Sequence, residues 1–471
     1  MSNEKDLTRG NLWKGIMLFS LPLMLSNVLQ VLFNMSDIAV VGKFGSANSL
    51  GAAGATATTV VLFTGFLIGM GSGVNALTAH YLGAKSEKDL RETIHSSAIV
   101  CFITGWILCA VLFFVAKPLL NLVDTKPDYI EGASLYLKIY AFGLPALALY
   151  NFGNGVLSAS GDTKRPLVFL GIAGVINVLL NLFFVIVCNL DVAGVAIASI
   201  TSQYISAVLI FISLVRNKGS VFVRVSELKI SPEKAKKILA LGVPSGCQNA
   251  IFSVANLFIQ KAVNYFPKVF FDGNSAAANT DALVYDVMAA YYTACSSFMG
   301  QNFGAGKKDR MKACYWISVL YALLTGLVMG VLLVIFGEQF LSIFTNDPKV
   351  VAEGMKRLKI MGLSYAVSAF MDGTIAASRG IGKSLIPTII VISGSCVFRI
   401  IWIYTVFAHF HTVLSLYLLY PASWILTAIA EMIYFFVTYK KITANLPDPE
   451  KNGEADDSSS EADLIADKAE K

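Results

Sequence analysis

Apolar residues run in long, nearly unbroken blocks along this chain, separated by short clusters of charge and by Gly and Pro punctuation. An α-helix rising about 1.5 Å per residue needs roughly 20 such residues to cross a hydrocarbon core about 30 Å thick. No backbone N–H or C=O can stay unpaired in that medium, so segments of this length are helical. The blocks predict helices at 14–41, 50–80, 92–116, 134–159, 166–188 and 192–215, and again at 238–266, 275–302, 312–336, 354–378, 386–408 and 413–439. The expected fold class is an all-α integral membrane protein of twelve transmembrane helices.

The loops set the orientation. Lys85, Lys88 and Arg91, then Lys164 and Arg165, then Arg216 to Lys237, then Lys307 to Lys312, then Arg379 and Lys383 occupy every second loop. Basic residues concentrate in cytoplasmic loops, which predicts that both termini are cytoplasmic and the protein multi-pass in the cell (plasma or inner) membrane.

An internal repeat then divides the pattern in two. At an offset of 221 residues Gly83 lies over Gly304, Pro127 over Pro348, Leu137-Lys138-Ile139 over Leu358-Lys359-Ile360, Gly161 over Gly382 and Pro166 over Pro387. With one residue of slippage Pro22 and Asn27 match Pro244 and Asn249. The expected organisation is a cytoplasmic N-terminus (1–13), an N-lobe of six helices (14–216), a cytoplasmic linker (217–237), a C-lobe of six helices (238–441) and an acidic, disordered tail (442–471). Two six-helix bundles in parallel repeat are a common architecture of transporters that rock two lobes around a central site. A duplicated channel or scaffold is the plainer alternative.

Composition sharpens this picture. Of 471 residues 55% are hydrophobic and 14% charged, against about 25% charged in soluble proteins. From Thr443 onward the tail holds nine acids against Lys451, Lys468 and Lys471, so the body is more basic than the chain's net +6. These charges are dispersed over short loops and form no basic patch, which excludes a nucleic-acid partner. All seven cysteines lie in apolar runs without a CxxC pair and are expected as lipid- or core-facing thiols. The polar stretch Met1 to Gly10 leads into the first apolar run with no small-residue cleavage site, so a retained helix is expected and no removable signal peptide. His80, His95, His409 and His411 lie at or near helix ends, and neither HExxH nor Gly-x-Ser-x-Gly occurs, so no enzyme is expected.

A repeat lets one half act as control for the other. Asp37 sits inside the first apolar run, where an acid costs on the order of 3 kcal/mol, while its counterpart is Ile259. Asn177 and Asn181, four residues apart and hence on one helix face, have Phe398 and Trp402 as counterparts. Ser199 and Thr201 have Tyr420 and Ala422. Counted from the presumed outer ends, Asp37, Asn181 and Ser199 lie at similar depths of roughly 9, 12 and 10 Å. A carboxylate, two amide oxygens and a hydroxyl at one level make an oxygen-lined pocket for a monovalent cation or a proton. Asparagines as interhelical glue and Asp37 facing a watery vestibule are the plain structural reading. Asp286 and Asp372 form a candidate second-lobe or substrate site, whereas Asp281, close to Gly273, is read as solvated near the outer interface. Glu431 is either a cavity acid or a pair for Arg399. Pro22 removes a backbone bond from the first helix and marks a bend or a static kink.

Taken together, Ser20-Leu21-Pro22 with Asp37 ahead of Val41-Gly42-Lys43, the loop Gly161-Asp162-Thr163-Lys164-Arg165-Pro166, Gln301-Asn302-Phe303-Gly304-Ala305-Gly306 and Ser378-Arg379-Gly380-Ile381-Gly382-Lys383-Ser384 resemble the multidrug and toxic compound extrusion (MATE) family, from about Gly15 to Lys441. The resemblance implies a MATE/MOP-like fold, a central cavity, and export of small, often cationic organic compounds by antiport against H⁺ or Na⁺. It also implies that Asp37, Asn177 and Asn181 are the N-lobe cation site, with Ser199 completing it. No cofactor beyond the coupling ion and no metal beyond Na⁺ at Asp37 is expected, and the partners are small organic substrates and the bilayer around a monomer. A flippase for lipid-linked oligosaccharides of the same superfold is the alternative. It would line its cavity with several basic residues, whereas Lys261 and Arg399 are those that stand out here.

Overall fold

The computed structural model describes residues 4–46, 48–122, 125–444 and 446. Among them the chain forms twelve helical rods: α1 (Leu12–Phe44), α2 (Ser49–Gly83), α3 (Glu87–Leu122), α4 (Pro127–Ala141 and Leu144–Ala159), α5 (Lys164–Val187), α6 (Asp191–Val215), α7 (Pro232–Val263), α8 (Lys268–Gly304), α9 (Lys308–Leu341), α10 (Pro348–Gly380), α11 (Leu385–Phe410) and α12 (Val413–Ala444). Each expected helix is present. Most run several residues beyond their apolar blocks, because hydropathy marks only the part in hydrocarbon while the hydrogen-bond ladder continues into the polar ends. The acidic tail expected at 442–471 lies, past Ala444 and apart from Leu446, outside the described residues.

Ten rods are long and apolar enough to span a membrane, and α4 is an eleventh if its two segments count as one span. Those segments meet at 49°, where a single helix at 134–159 was expected. Pro145 explains the bend: it lacks an N–H, and its ring crowds the carbonyl of Ala141, where the first segment ends. The twelfth rod, α8, carries the polar residues Asp272, Asn274, Asn279, Asp281 and Asp286.

The chain divides into two compact units. In the first, α4 packs against α3 and α6, and α6 against α5. In the second, α10 packs against α8, α9 and α12. Helix α10 corresponds to α4 in the repeat, so one central helix organises each unit. The first unit takes α1 from Leu25 and α7 up to Ala250, while the second takes α1 up to Met24 and α7 from Ile251. Pro22 and Pro244 thus lie near the points where the two helices pass from one unit to the other. Helix α1 nevertheless runs unbroken across Pro22.

The repeat is written into the backbone as well. Lys85 (φ 56°) and Gly306 (φ 68°), 221 residues apart, both take the left-handed conformation, as do Gly161 (φ 84°) and Gly382 (φ 78°). Each pair ends a helix and turns the chain into the next rod, a role for which left-handed geometry is suited.

In lipid the helices gain little from burying apolar side chains against one another, so close backbone approach through small residues holds them together. A Cβ on Gly330 in α9 would lie 1.8 Å from the Gly362 carbonyl oxygen of α10. In the first unit a Cβ on Gly69 of α2 would lie 2.3 Å from the Gly246 nitrogen of α7. Outward faces stay apolar, as with Val175 and Leu179 of α5, which are about three-fifths exposed.

This packing predicts opposite signs for two chemically identical changes. Gly171→Ala on α5, whose Cβ meets nothing within 4 Å, should stabilise by up to about 1 kcal/mol through helix propensity. Gly330→Ala should cost about 1–3 kcal/mol by overpacking. Thermal unfolding in detergent, followed by tryptophan fluorescence, distinguishes them.

Candidate cation site and its counterpart

Three helices of the first unit bring the predicted residues together. Asp37 projects from α1, Asn177 and Asn181 from one face of α5, and Ser199 from α6. The Asn181 amide donates from Nδ2 to Asp37 Oδ1 at 2.5 Å and to Asn177 Oδ1 at 3.2 Å. The Ser199 hydroxyl donates to Asp37 Oδ2 at 3.0 Å. Asn177, Asn181 and Ser199 are buried and Asp37 is half-buried. The end of α1 is tied to the start of α6 by the Ser46 N–H, which donates to Asp191 Oδ1 at 2.8 Å.

Because both atoms facing Asn181 Nδ2 are acceptors, the network fixes which way this amide points. Asn181 Oδ1 is thereby left without a hydrogen-bond partner among the described residues, although the side chain is fully buried. An orphaned buried acceptor costs about 1–3 kcal/mol, a charge-free acceptor waiting beside a carboxylate. Beyond it Tyr136 and Tyr140 stack at 5.8 Å, and Gln203 Nε2 donates to the Tyr140 hydroxyl at 3.1 Å. Asp37 acts electrostatically on both tyrosines.

Thr201 lies apart from this group. Its hydroxyl donates to the Ile197 carbonyl of its own helix at 2.8 Å, and its side chain is exposed. Two residues along an α-helix turn about 200°, so Ser199 and Thr201 face nearly opposite ways.

What the site can hold follows from its donors. One carboxylate, two amide carbonyls and a hydroxyl supply hard oxygen ligands carrying a single negative charge, which suits one monovalent cation or one proton. No cluster of three or more His, Cys, Asp or Glu is present among the described residues, so nothing there matches a divalent centre.

The corresponding place in the second unit is filled by the protein itself. Ile259, the counterpart of Asp37, is buried in an apolar cluster against which Trp402 and Tyr420 pack. Arg357, the counterpart of Tyr136, stands 5.5 Å over the Tyr417 ring and 5.6 Å over that of Tyr420. Its guanidinium pairs with Asp281 and donates to Asn274 Oδ1 at 2.6 Å, while the Tyr365 hydroxyl also donates to Asp281. Tyr417 completes the network by donating to Asn274 Oδ1 at 2.9 Å. Asp281 is therefore not the solvated interfacial acid expected, because a buried guanidinium claims it. The sequence did carry a signal: Arg357 is a charge inside an expected span, in register with an uncharged Tyr136.

Asp286 and Asp372 both lie near Tyr285. Asp286 is half-buried, Asp372 is buried, and both act on Tyr285. Asp372 Oδ2 has no hydrogen-bond partner among the described residues. Glu431 is fully buried with neither oxygen hydrogen-bonded among the described residues, and Arg379 and Asp372 are the charges acting on it. Arg399 is not its ion pair: that side chain donates from Nε to the Ser423 hydroxyl at 3.0 Å.

Known proteins match this chain along most of its length. The MatE family model matches twice, over residues 22–183 and 244–405, each match beginning on one of the paired prolines. The chain is 30% identical to "Probable multidrug resistance protein YpnP" of Bacillus subtilis, over 82% of this chain and 87% of that protein. Its fold is similar to that of a MOP superfamily transporter from Pyrococcus furiosus, with a TM-score of 0.87, 21% identity, and coverage of 93% of this chain and 98% of the other. It is equally similar to an outward-facing multidrug resistance MATE family transporter, with a TM-score of 0.86, 21% identity and the same coverage.

Removing one member of a buried ion pair leaves the other charge uncompensated, at a cost of about 3–5 kcal/mol. Arg357→Leu should therefore lower the unfolding temperature more than the double change Arg357→Leu with Asp281→Asn. Equal losses in the two proteins would mean that the pair is not coupled.

Proposed function

The chain belongs to the MatE family of multi-pass membrane transporters, and we propose that it exports small organic, often cationic, compounds by antiport against H⁺ or Na⁺. The observation that carries this reading is the convergence of Asp37, Asn177, Asn181 and Ser199 from three helices, in a half whose counterpart holds an apolar cluster instead. The relatives named as multidrug resistance proteins support the substrate class.

In this mechanism the cation enters from outside and binds Asp37. For Na⁺, the Ser199 hydroxyl rotates and the Asn181 amide turns its Oδ1 inward, replacing two hydrogen bonds to the carboxylate with two oxygen ligands. For H⁺, the proton sits on a carboxylate oxygen and the donor to that oxygen turns away. Either event changes the bonds between α1, α5 and α6, and α1 carries that change toward Pro22, where a missing backbone bond softens the helix. Cation occupancy and substrate occupancy oppose each other, and antiport follows from that reciprocity as the lobes 14–216 and 238–441 alternate access. In this reading the protein sits in the cell membrane as a monomer with both termini in the cytoplasm, and Asp286 and Asp372 contribute to substrate binding.

Efflux of ethidium from vesicles, with a pH gradient and a Na⁺ gradient imposed separately, tests this reading. Wild type should export under one gradient, which names the ion, and Asp37→Asn should lose at least tenfold. Ser199→Ala should fall severalfold, whereas Thr201→Val should stay within about twofold. Equal export by wild type and Asp37→Asn would remove Asp37 from the coupling.

A further inference from the structure

The guanidinium of Arg399 is a buried charge in the second unit. It is 3% exposed, and its one hydrogen bond is the Nε contact to Ser423. No carboxylate among the described residues comes within ion-pairing distance, and Asp372 acts on it only through space. Among the described residues the two terminal nitrogens of Arg399, with four N–H donors, make no hydrogen bond. A buried guanidinium seldom stays in that state without a use for it.

Three aromatic rings surround it. Cζ lies 4.8 Å from the Tyr420 ring centre, 5.8 Å from that of Phe252 and 5.9 Å from that of Trp424. These rings are part-exposed, so the guanidinium lies behind them. The first half again acts as control. The counterparts of Arg399, Tyr420 and Trp424 are Val178, Ser199 and Gln203, and that of Phe252 is Gln30. The fold therefore stands without this box. The backbone is specialised here too: residues Ile392–Val397, just before Arg399, form a π-helical segment, while the equivalent stretch of α5 is ordinary α-helix. A π turn holds an extra residue and re-aims the side chains that follow it, a device common at functional sites.

We propose that Arg399, walled by Phe252, Tyr420 and Trp424, is a subsite for the carboxylate of a planar aromatic compound. Ser423 fixes Nε and so orients the fork, leaving the edge formed by the terminal nitrogens to meet both oxygens of a carboxylate in parallel hydrogen bonds. The rings then receive the flat body of the ligand by stacking and edge contacts. The cluster thereby extends the substrate range of the exporter beyond cations to aromatic acids, and it rests on the exporter reading for its purpose. Binding itself does not require transport, so the two can fail separately.

The test is equilibrium binding of 2-naphthoate, 2-naphthyl phosphate and the neutral isostere 2-naphthalenemethanol to the purified full-length chain in detergent. Wild type should bind naphthoate saturably and prefer it to the alcohol by roughly tenfold or more, the scale of a charge-assisted hydrogen bond. Arg399→Gln should abolish that preference, and Arg399→Lys should restore only part of it, since an ammonium cannot form the fork. The preference is a ratio within one protein, so loss of folded material leaves it unchanged. An equal preference in wild type and Arg399→Gln, or no naphthoate binding by wild type, overturns the proposal. Tighter binding of the phosphate than of naphthoate overturns the carboxylate assignment. Saturable naphthoate binding by a protein that exports neither ethidium nor naphthoate would sustain the subsite and defeat the exporter reading.

Discussion

A polar group taken out of water must find its partner within the protein, and in a membrane that requirement has no relief from solvent. It makes the backbone helical from Leu12 to Ala444 wherever the chain crosses, and it keeps the rods long. Side chains obey the same rule. Asp37 is held by an amide and a hydroxyl from two neighbouring helices, and Asp281 by a guanidinium and a phenol. Where the rule is left unmet, as at Asn181 Oδ1 and at the terminal nitrogens of Arg399, the structure holds an open valence at a fixed address.

Much of this was legible in the sequence because the signals are periodic or repeated. Twelve apolar blocks gave twelve rods, and a single register of 221 residues reappears as matched left-handed residues at Lys85 and Gly306. The grouping of Asp37 with Asn181 and Ser199 could be read because helix phase and depth both follow from counting residues. The same counting separates Thr201, which lies on the other side of α6. The Arg357–Asp281 pair was harder to see. Its partners are 76 residues apart on different helices, and only a long side chain reaching across the packing brings them together. Local backbone departures were also hidden: Pro145 announces the bend in α4, but nothing in the apolar pattern marks the π-helical segments of α11.

The two halves share a plan and divide the chemistry. Each is built around one central helix, α4 or α10, packed closely through small residues. On that common frame the first half sets small polar side chains, Asn177, Asn181 and Ser199, around a carboxylate. At equivalent positions the second half sets Phe398, Trp402 and Tyr420, and brings in arginines that the first half lacks. Duplication supplied the scaffold twice, and the positions the scaffold did not need became free to diverge.

The pairing of Arg357 with Asp281 has an electrical consequence. Arginine keeps its proton at any physiological pH, and its charge is bonded into the chain, so the pair sums to zero whatever the ionic composition on either side. A membrane potential exerts a force on net charge, about 2.3 kcal/mol for one elementary charge carried through 100 mV, and none on a neutral pair. The second unit is therefore electrically silent at this position. Asp37, whose partners are uncharged, presents one negative charge to the field when ionised and empty, and none once a monovalent cation neutralises it, so voltage can tell the two states of that site apart.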